Sequence, residues 1–276
     1  MSAPEHKSAG GPLASILALP NDDPKKTLFV AIAVCLVCSV VVAAAAIGLR
    51  PLQAANQERD RIRNIVEVAG VGKPGQSAAE AFRENVEPIL IRLSDGSQSD
   101  ALDPATFDIA KVSKDPALSR AMPKADDHAG IKRQPHFMPV YVVRTESGGI
   151  KTLILPVHGA GLWSTLYGFL ALEGDLRTVG GLKFYQHAET PGLGGEVDNL
   201  NWRAIWNGKI AFDDTGRPGI QLVKGGVDHS VAGNESRIDG LAGATLTSRG
   251  VEKLINFWLG EAGYGPLIER LRSGRS

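Results

Sequence analysis

Asp239-Gly-Leu-Ala-Gly-Ala-Thr-Leu-Thr-Ser248 brings very small residues and three hydroxyls together directly ahead of an amphipathic run. In that run Val251, Leu254, Ile255, Trp258 and Leu259 recur at the spacing of one helix face, and Gly260 closes the pattern. Ser248 or Thr247 is the expected N-cap, so the unpaired N–H groups of the helix start and the positive end of its dipole would face Thr245. A phosphate would be held well there. Gly240, Gly243 and Ala244 carry little or no side chain, so a flat ring and its phosphate could approach closely. A plain turn before a capped helix is the simpler reading of the same string.

The chain that positions this segment has 276 residues, 43% of them hydrophobic, with thirty basic against thirty acidic residues. That is enough to bury a real core, and the even charge balance speaks against a nucleic-acid partner. Thr27 to Leu49 is an uncharged run of about 23 residues that as a helix would reach roughly 34 Å, more than a hydrocarbon core of about 30 Å. We read it as a membrane anchor; the competing reading is a cleaved signal peptide, since Lys25 and Lys26 precede it and Ala43 to Ala46 end it with small residues. Basic residues flank both ends, so charge bias does not orient the span. Cys35 and Cys38 lie within it, too few for a metal site and awkwardly placed for a disulfide, and read as small apolar fillers.

Residues 1–26 read as a mobile tail with at most a short helix from Leu13 to Leu19, 27–49 as the transmembrane helix and 50–138 as a helical stalk with the first part of the soluble domain. The stalk is expected over Gln53–Val68 and a second helix from Ser77 to about Arg92, kinked or ended by Pro88. Surface loops with short elements fill Ser94 to Phe137. From Pro139 the period changes to two. Val140–Arg144 and Ile150–Val157 form a hairpin around Glu146-Ser-Gly-Gly149, and Tyr167–Leu172 and Thr178–His187 extend the sheet. A helix near Leu200–Trp206 and strands near Lys209–Asp213 and Ile220–Val223 complete an α+β fold, one soluble domain behind a single N-terminal span.

Gly243-Ala244-Thr245, with Ala242 in first place, resembles the flavinylation motif Ser/Thr-Gly-Ala-Thr of the FMN-binding domain family. Gly161-Leu-Trp-Ser164 followed by Tyr167-Gly168, and His187-Ala-Glu-Thr-Pro-Gly-Leu-Gly-Gly195, resemble two further signatures within that family. The resemblance runs from the membrane helix to the last helix. It implies that residues 139–276 form an FMN-binding domain with FMN joined through a phosphoester to Thr245, beside Gly243, Ala244 and Thr247. Pro191, Gly192, Gly194 and Gly195 fix a turn whose N–H groups, with Leu193, could lie against a flat ring; Glu189 and Thr190 could hydrogen-bond its polar edge, and Trp163 could stack on or flank it. Taken singly, these are also a glycine hairpin, a solvated glutamate and a core tryptophan. Lys224 could bring a cation to the phosphate or the reduced flavin, or be a solvated loop lysine.

The resemblance also implies an electron-carrying subunit of a bacterial inner-membrane reductase that oxidises NADH, reduces ubiquinone and exports Na+. Five companion subunits and an FMN transferase using FAD and Mg2+ would accompany it, with the N-terminus cytoplasmic and the flavin domain periplasmic. No acid–base residue and no metal site is expected, and His128, His136, His158, His187 and His229 show no paired ligand spacing. The glycine turn is not a dinucleotide fingerprint, because its sixth position is Val197, and no phosphate loop occurs, because Lys73 is followed by Pro74 and Lys209 by Ile210. Two alternatives stand beside this reading. One is the equivalent subunit of an Rnf-type ferredoxin:NAD+ reductase, against which Gly161–Ser164 argues; the other is a flavin-free, membrane-tethered binding domain.

Overall fold

The computed structural model describes residues 16–228 and 230–274, so most of the expected tail, the start of the Leu13–Leu19 helix and His229 lie outside the described residues. The chain divides into two compact units, Met1–Glu58 and Arg59–Ser276. Helix α1, Pro24–Ala69, is 46 residues long and contains Pro51, so the expected span and stalk are one helix. Its apolar window has a mean hydropathy of 3.0 and no buried residue, which by length and composition suits a membrane crossing. Cys35 and Cys38 are exposed on it and unbonded to each other.

In the larger unit, Ser77 caps α2 (Ala78–Asn85) through a capping box with Glu80. The helix stops there. Residues expected to continue it as far as Arg92 form instead strand β1, Val86–Arg92. The reason is tertiary: β1 pairs antiparallel with β4 (Phe137–Arg144), which places Leu90 and Ile91 in the core, and it is an edge strand, where Pro88 costs no interior ladder bond. Residues on both sides of position 138 therefore belong to one sheet. Short pieces fill the interval: α3 (Ile109–Val112), β2 (Ser119–Ala121) and β3 (Arg133–Pro135).

The predicted hairpin is present as β4 and β5 (Ile150–Ala160), followed by β6 (Thr165–Glu173) and β7 (Val179–Gln186), giving one antiparallel sheet ordered β1-β4-β5-β6-β7. Both faces are covered. Leu153, Leu155 and Val157 of β5 join a core with helices α5 (Thr245–Leu259) and α6 (Gly265–Arg272), whereas Ile154 joins Ile65, Val68 and Phe82. Each fully buried aliphatic side chain contributes about 2 kcal/mol. Beyond β7 lie a 3-10 turn (Gly194–Asp198), α4 (Leu200–Ala204) and a parallel pair, β8 (Gln221–Val223) with β9 (Arg237–Asp239). The strand expected over Lys209–Asp213 is reduced to the isolated bridges Thr178–Ile210 and Phe212–Pro218.

Helix α5 carries its predicted apolar face inward: Val251, Leu254, Ile255, Trp258 and Leu259 are buried. Glycines let it lie close to β5. A Cβ on Gly159 would stand 2.6 Å from the Leu254 Cβ, and one on Gly250 would collide with the Ala160 carbonyl. Trp258 Nε1 donates to the His158 carbonyl at 2.6 Å and the Tyr264 hydroxyl to that of Pro156 at 2.7 Å, so helix and strand are also pinned by hydrogen bonds. The N-terminus of α5 is thereby fixed beside the end of β5.

Glu67, in the last turns of α1, accepts from Lys183 of β7 and, at 2.9 Å, from Arg203 of α4. Partial burial pushes its pKa up, but those hydrogen bonds and the two cationic charges outweigh it and hold the group below the ordinary carboxylate value of 4.5. A depressed folded-state value means stability present above about pH 4.5 and lost as the pH falls through the folded value. Denaturant unfolding from pH 7 to pH 3 should therefore show Glu67→Gln destabilised by about 1 kcal/mol or less at pH 7 and less sensitive to acid than the parent.

Candidate functional site

Three segments meet at one carboxylate. Glu189, which is 5% exposed, lies in the turn after β7. Its Oε1 accepts from the backbone N–H groups of Trp163 (3.0 Å) and Ser164 (3.1 Å) and from Ser164 Oγ (3.2 Å), all in the loop between β5 and β6. Its Oε2 accepts from the Leu162 N–H (3.2 Å) and from Thr247 Oγ1 (2.7 Å) in the first turn of α5. Burial raises the pKa of this group, but the Thr247 hydroxyl and the three loop N–H groups more than compensate and hold it below the ordinary value. Both oxygens are thus satisfied by the protein itself, and the carboxylate expected to meet a ligand's polar edge serves as an internal junction.

Glycines make room for that junction. A Cβ on Gly161 would stand 2.5 Å from Glu189 Oε1, and one on Gly194 would stand 2.6 Å from Thr247 Oγ1 and 2.7 Å from Glu189 Oε2. The Thr190 carbonyl closes the following turn by accepting from the N–H groups of Leu193 (3.1 Å) and Gly195 (2.9 Å). Ser164 and His187, which stood in the sequence motifs without a role of their own, brace the same turn. Ser164 Oγ accepts from the Ala188 N–H at 2.8 Å, and His187 Nδ1 accepts from the Glu189 N–H at 3.3 Å while Nε2 donates to Asp198 at 2.8 Å. Their signal was the fixed string around each residue, without any hint of which partner it would find.

Helix α5 begins at Thr245, two to three residues before either expected cap. Its N-cap is Ala244, with no capping side chain. The hydroxyls expected to cap have other partners: Thr247 donates to Glu189, while Ser248 Oγ accepts from the Leu241 N–H (2.9 Å) and donates to the Ala244 carbonyl (3.1 Å). The first-turn N–H groups therefore keep their capacity for an outside acceptor. Thr245 is exposed at this first position. Gly243 approaches it with φ +72°, and a Cβ there would stand 3.0 Å from the Leu193 side chain.

The three segments also expose large apolar groups: Trp163 is 72% exposed, Leu246 57%, Leu162 44% and Leu193 43%. All four lie on the segments that meet at Glu189. Trp163 is outside the core, not within it. Lys224 is exposed just beyond β8, whose Val223 carbonyl accepts from the Gly240 N–H at 2.8 Å, so it borders the loop leading to Thr245. Among the described residues no three His, Cys, Asp or Glu side chains converge as a metal site would require. An exposed hydroxyl, a helix start that no side chain caps and exposed apolar side chains together fit a phosphorylated flat heterocycle, with Lys224 bordering the loop that leads to the hydroxyl.

A family model for the FMN-binding domain matches residues 161–260, which span all three segments. The C subunit of the Na+-translocating NADH-quinone reductase of Pseudomonas aeruginosa is 52% identical over 259 residues, covering 93% of this chain and 99% of that protein. The protein of the same name from Yersinia pestis is 47% identical over 257 residues, covering 92% and 95%. Among solved structures, Shewanella oneidensis NqrC superposes with a TM-score of 0.73 at 34% identity, covering 79% of this chain and 99% of that one. The corresponding protein of Parabacteroides distasonis does so with 0.62 at 27% identity, covering 80% and 96%.

The glycine contacts predict a hierarchy. Gly194→Ala drives a methyl between Thr247 and Glu189 and should cost about 2 kcal/mol or more, whereas Gly192→Ala meets nothing and bears only the strain of its φ of +76°, about 1 kcal/mol. Thermal unfolding of the two variants should rank them in that order.

Proposed function

Since the chain belongs to the family of Na+-translocating NADH-quinone reductase C subunits, we propose that it carries FMN as a phosphoester of the Thr245 hydroxyl. The chain is a component of an oxidoreductase complex and has an FMN-binding domain, and the near full-length likeness to C subunits favours this reading over a ferredoxin-type or a flavin-free one. The observation that carries the covalent attachment is Thr245 itself: an exposed hydroxyl at the first position of a helix whose start no side chain caps. A phosphodiester there is met by the free N–H groups of the first turn and the positive end of the α5 dipole. Lys224 supplies an exposed countercharge, and Gly243 and Ala244 let the phosphate approach the backbone.

FMN, when bound, supplies reversible uptake and release of electrons, and the protein's part is to hold and tune it. Trp163 and Leu193 offer apolar surface to the ring, with Thr190 at its polar edge. Glu189, Thr247 and Gly194 hold those groups in place from beneath. No residue of the chain is asked to move a proton. Residues 27–49 cross the bacterial inner membrane with residues 1–26 in the cytoplasm and the flavin domain in the periplasm, where a covalent link prevents loss of the cofactor. A flavin transferase completes the protein by breaking the pyrophosphate of FAD, so that the FMN phosphate joins the Thr245 oxygen while AMP and the hydroxyl proton leave. The chain then assembles with five other subunits into the NADH:ubiquinone reductase that exports Na+.

In cells that supply the transferase, the chain should run as a fluorescent flavin band on a denaturing gel, with the flavin's mass on the peptide containing Thr245. Thr245→Ala should abolish the band, and a fluorescent Thr245→Ala band would refute the attachment.

A further inference from the structure

We propose that Glu189 is a positioning residue for the group carried at Thr245, locking the 162–164 loop and the 190–195 turn to the first turn of α5 as one rigid frame. The inference rests on the reading of Thr245 given above and deepens it. Glu189 accepts five hydrogen bonds from two other segments, one 25 to 27 residues before it and one 58 residues after it. Its own segment adds the close approach of Leu193 to Gly243.

A buried charge is a costly way to join three loops, since well-packed apolar residues of the same volume serve stability as well or better. What the carboxylate adds is direction. Three successive backbone N–H groups aimed at one acceptor fix the course of the loop bearing Leu162 and Trp163, and the Thr247 hydroxyl fixes that acceptor relative to a position two residues beyond Thr245. The glycines at 161 and 194 let both segments approach the carboxylate more closely than any side chain would allow. Because neither oxygen is left over, Glu189 acts through Trp163 and Leu193, while its charge forms a fixed part of the field at the helix start.

Glu189→Gln keeps the shape, removes the charge and turns an NH2 group toward N–H donors. In the flavin-free Thr245→Ala protein it should speed amide exchange at Leu162, Trp163 and Ser164 by about tenfold or more. In flavin-loaded protein with Thr245 intact, it should lower the native-state fluorescence anisotropy of the flavin and move its midpoint potential to more positive values, while the flavin stays on the denatured chain. Thr247→Val, which lacks only one donor, should move each readout the same way by less, Thr247→Ser should restore them, and this pair carries the comparison if Glu189→Gln is insoluble. Loaded variants with parental anisotropy and potential would overturn the proposal. A parent that takes up no flavin would instead refute the Thr245 reading, and parental exchange rates in Glu189→Gln would then overturn the frame as well.

Discussion

A largely buried carboxylate is tolerated only when donors surround it, and the five donors to Glu189 come from segments distant in sequence. That requirement shapes its surroundings. The loop after β5 must turn so that three consecutive N–H groups point inward, and Gly161 must stand where any side chain would strike the carboxylate. The turn after β7 needs a second glycine at 194 for the same reason. Thr247 must face inward, which puts Thr245 and Leu246, exposed beside it, on the outer side of the same helical turn.

The rest of the unit keeps this junction in register. β5 is the middle strand of five, and it delivers the Leu162 loop at one end. Helix α5 is pressed on β5 through Gly159 and Gly250 and tied to it by Trp258, so sliding of the helix start relative to the loop would break a buried hydrogen bond. The opposite face of the sheet is closed by Ile65, Val68 and Phe82. With both faces buried, the middle strands have no freedom to slip by one residue, because every side chain would change sides.

Much of this was legible from local pattern. The apolar stripe from Val251 to Leu259 is set by helical spacing alone, and the β4–β5 hairpin by alternation around Ser147-Gly148-Gly149. What the pattern hid was decided by partners far along the chain. Val86 to Arg92 satisfies a helical as well as an extended reading, and only pairing with β4 makes it a strand. Helix α6 had no counterpart in the pattern; Pro266 sits in its first turn, where the missing N–H costs nothing. The strings containing Glu189, Thr190, Leu193 and Thr245 stand out by composition, but no spacing reveals that Glu189 turns inward while Trp163 turns outward. That choice depends on which segment supplies the donors.

The displaced cap follows from the same division of labour. Threonine and serine stand at 247 and 248, and either could have closed the start of α5 on its own hydroxyl. Both are spent elsewhere, one on Glu189 and one on the Leu241–Ala244 turn. An alanine at the N-cap forgoes about 1 kcal/mol relative to a capping side chain. The internal carboxylate, which could have occupied the helix N-terminus, takes its backbone donors from the 162–164 loop instead. Each of these choices leaves the start of α5 without a capping side chain, with the exposed hydroxyl of Thr245 at its first position.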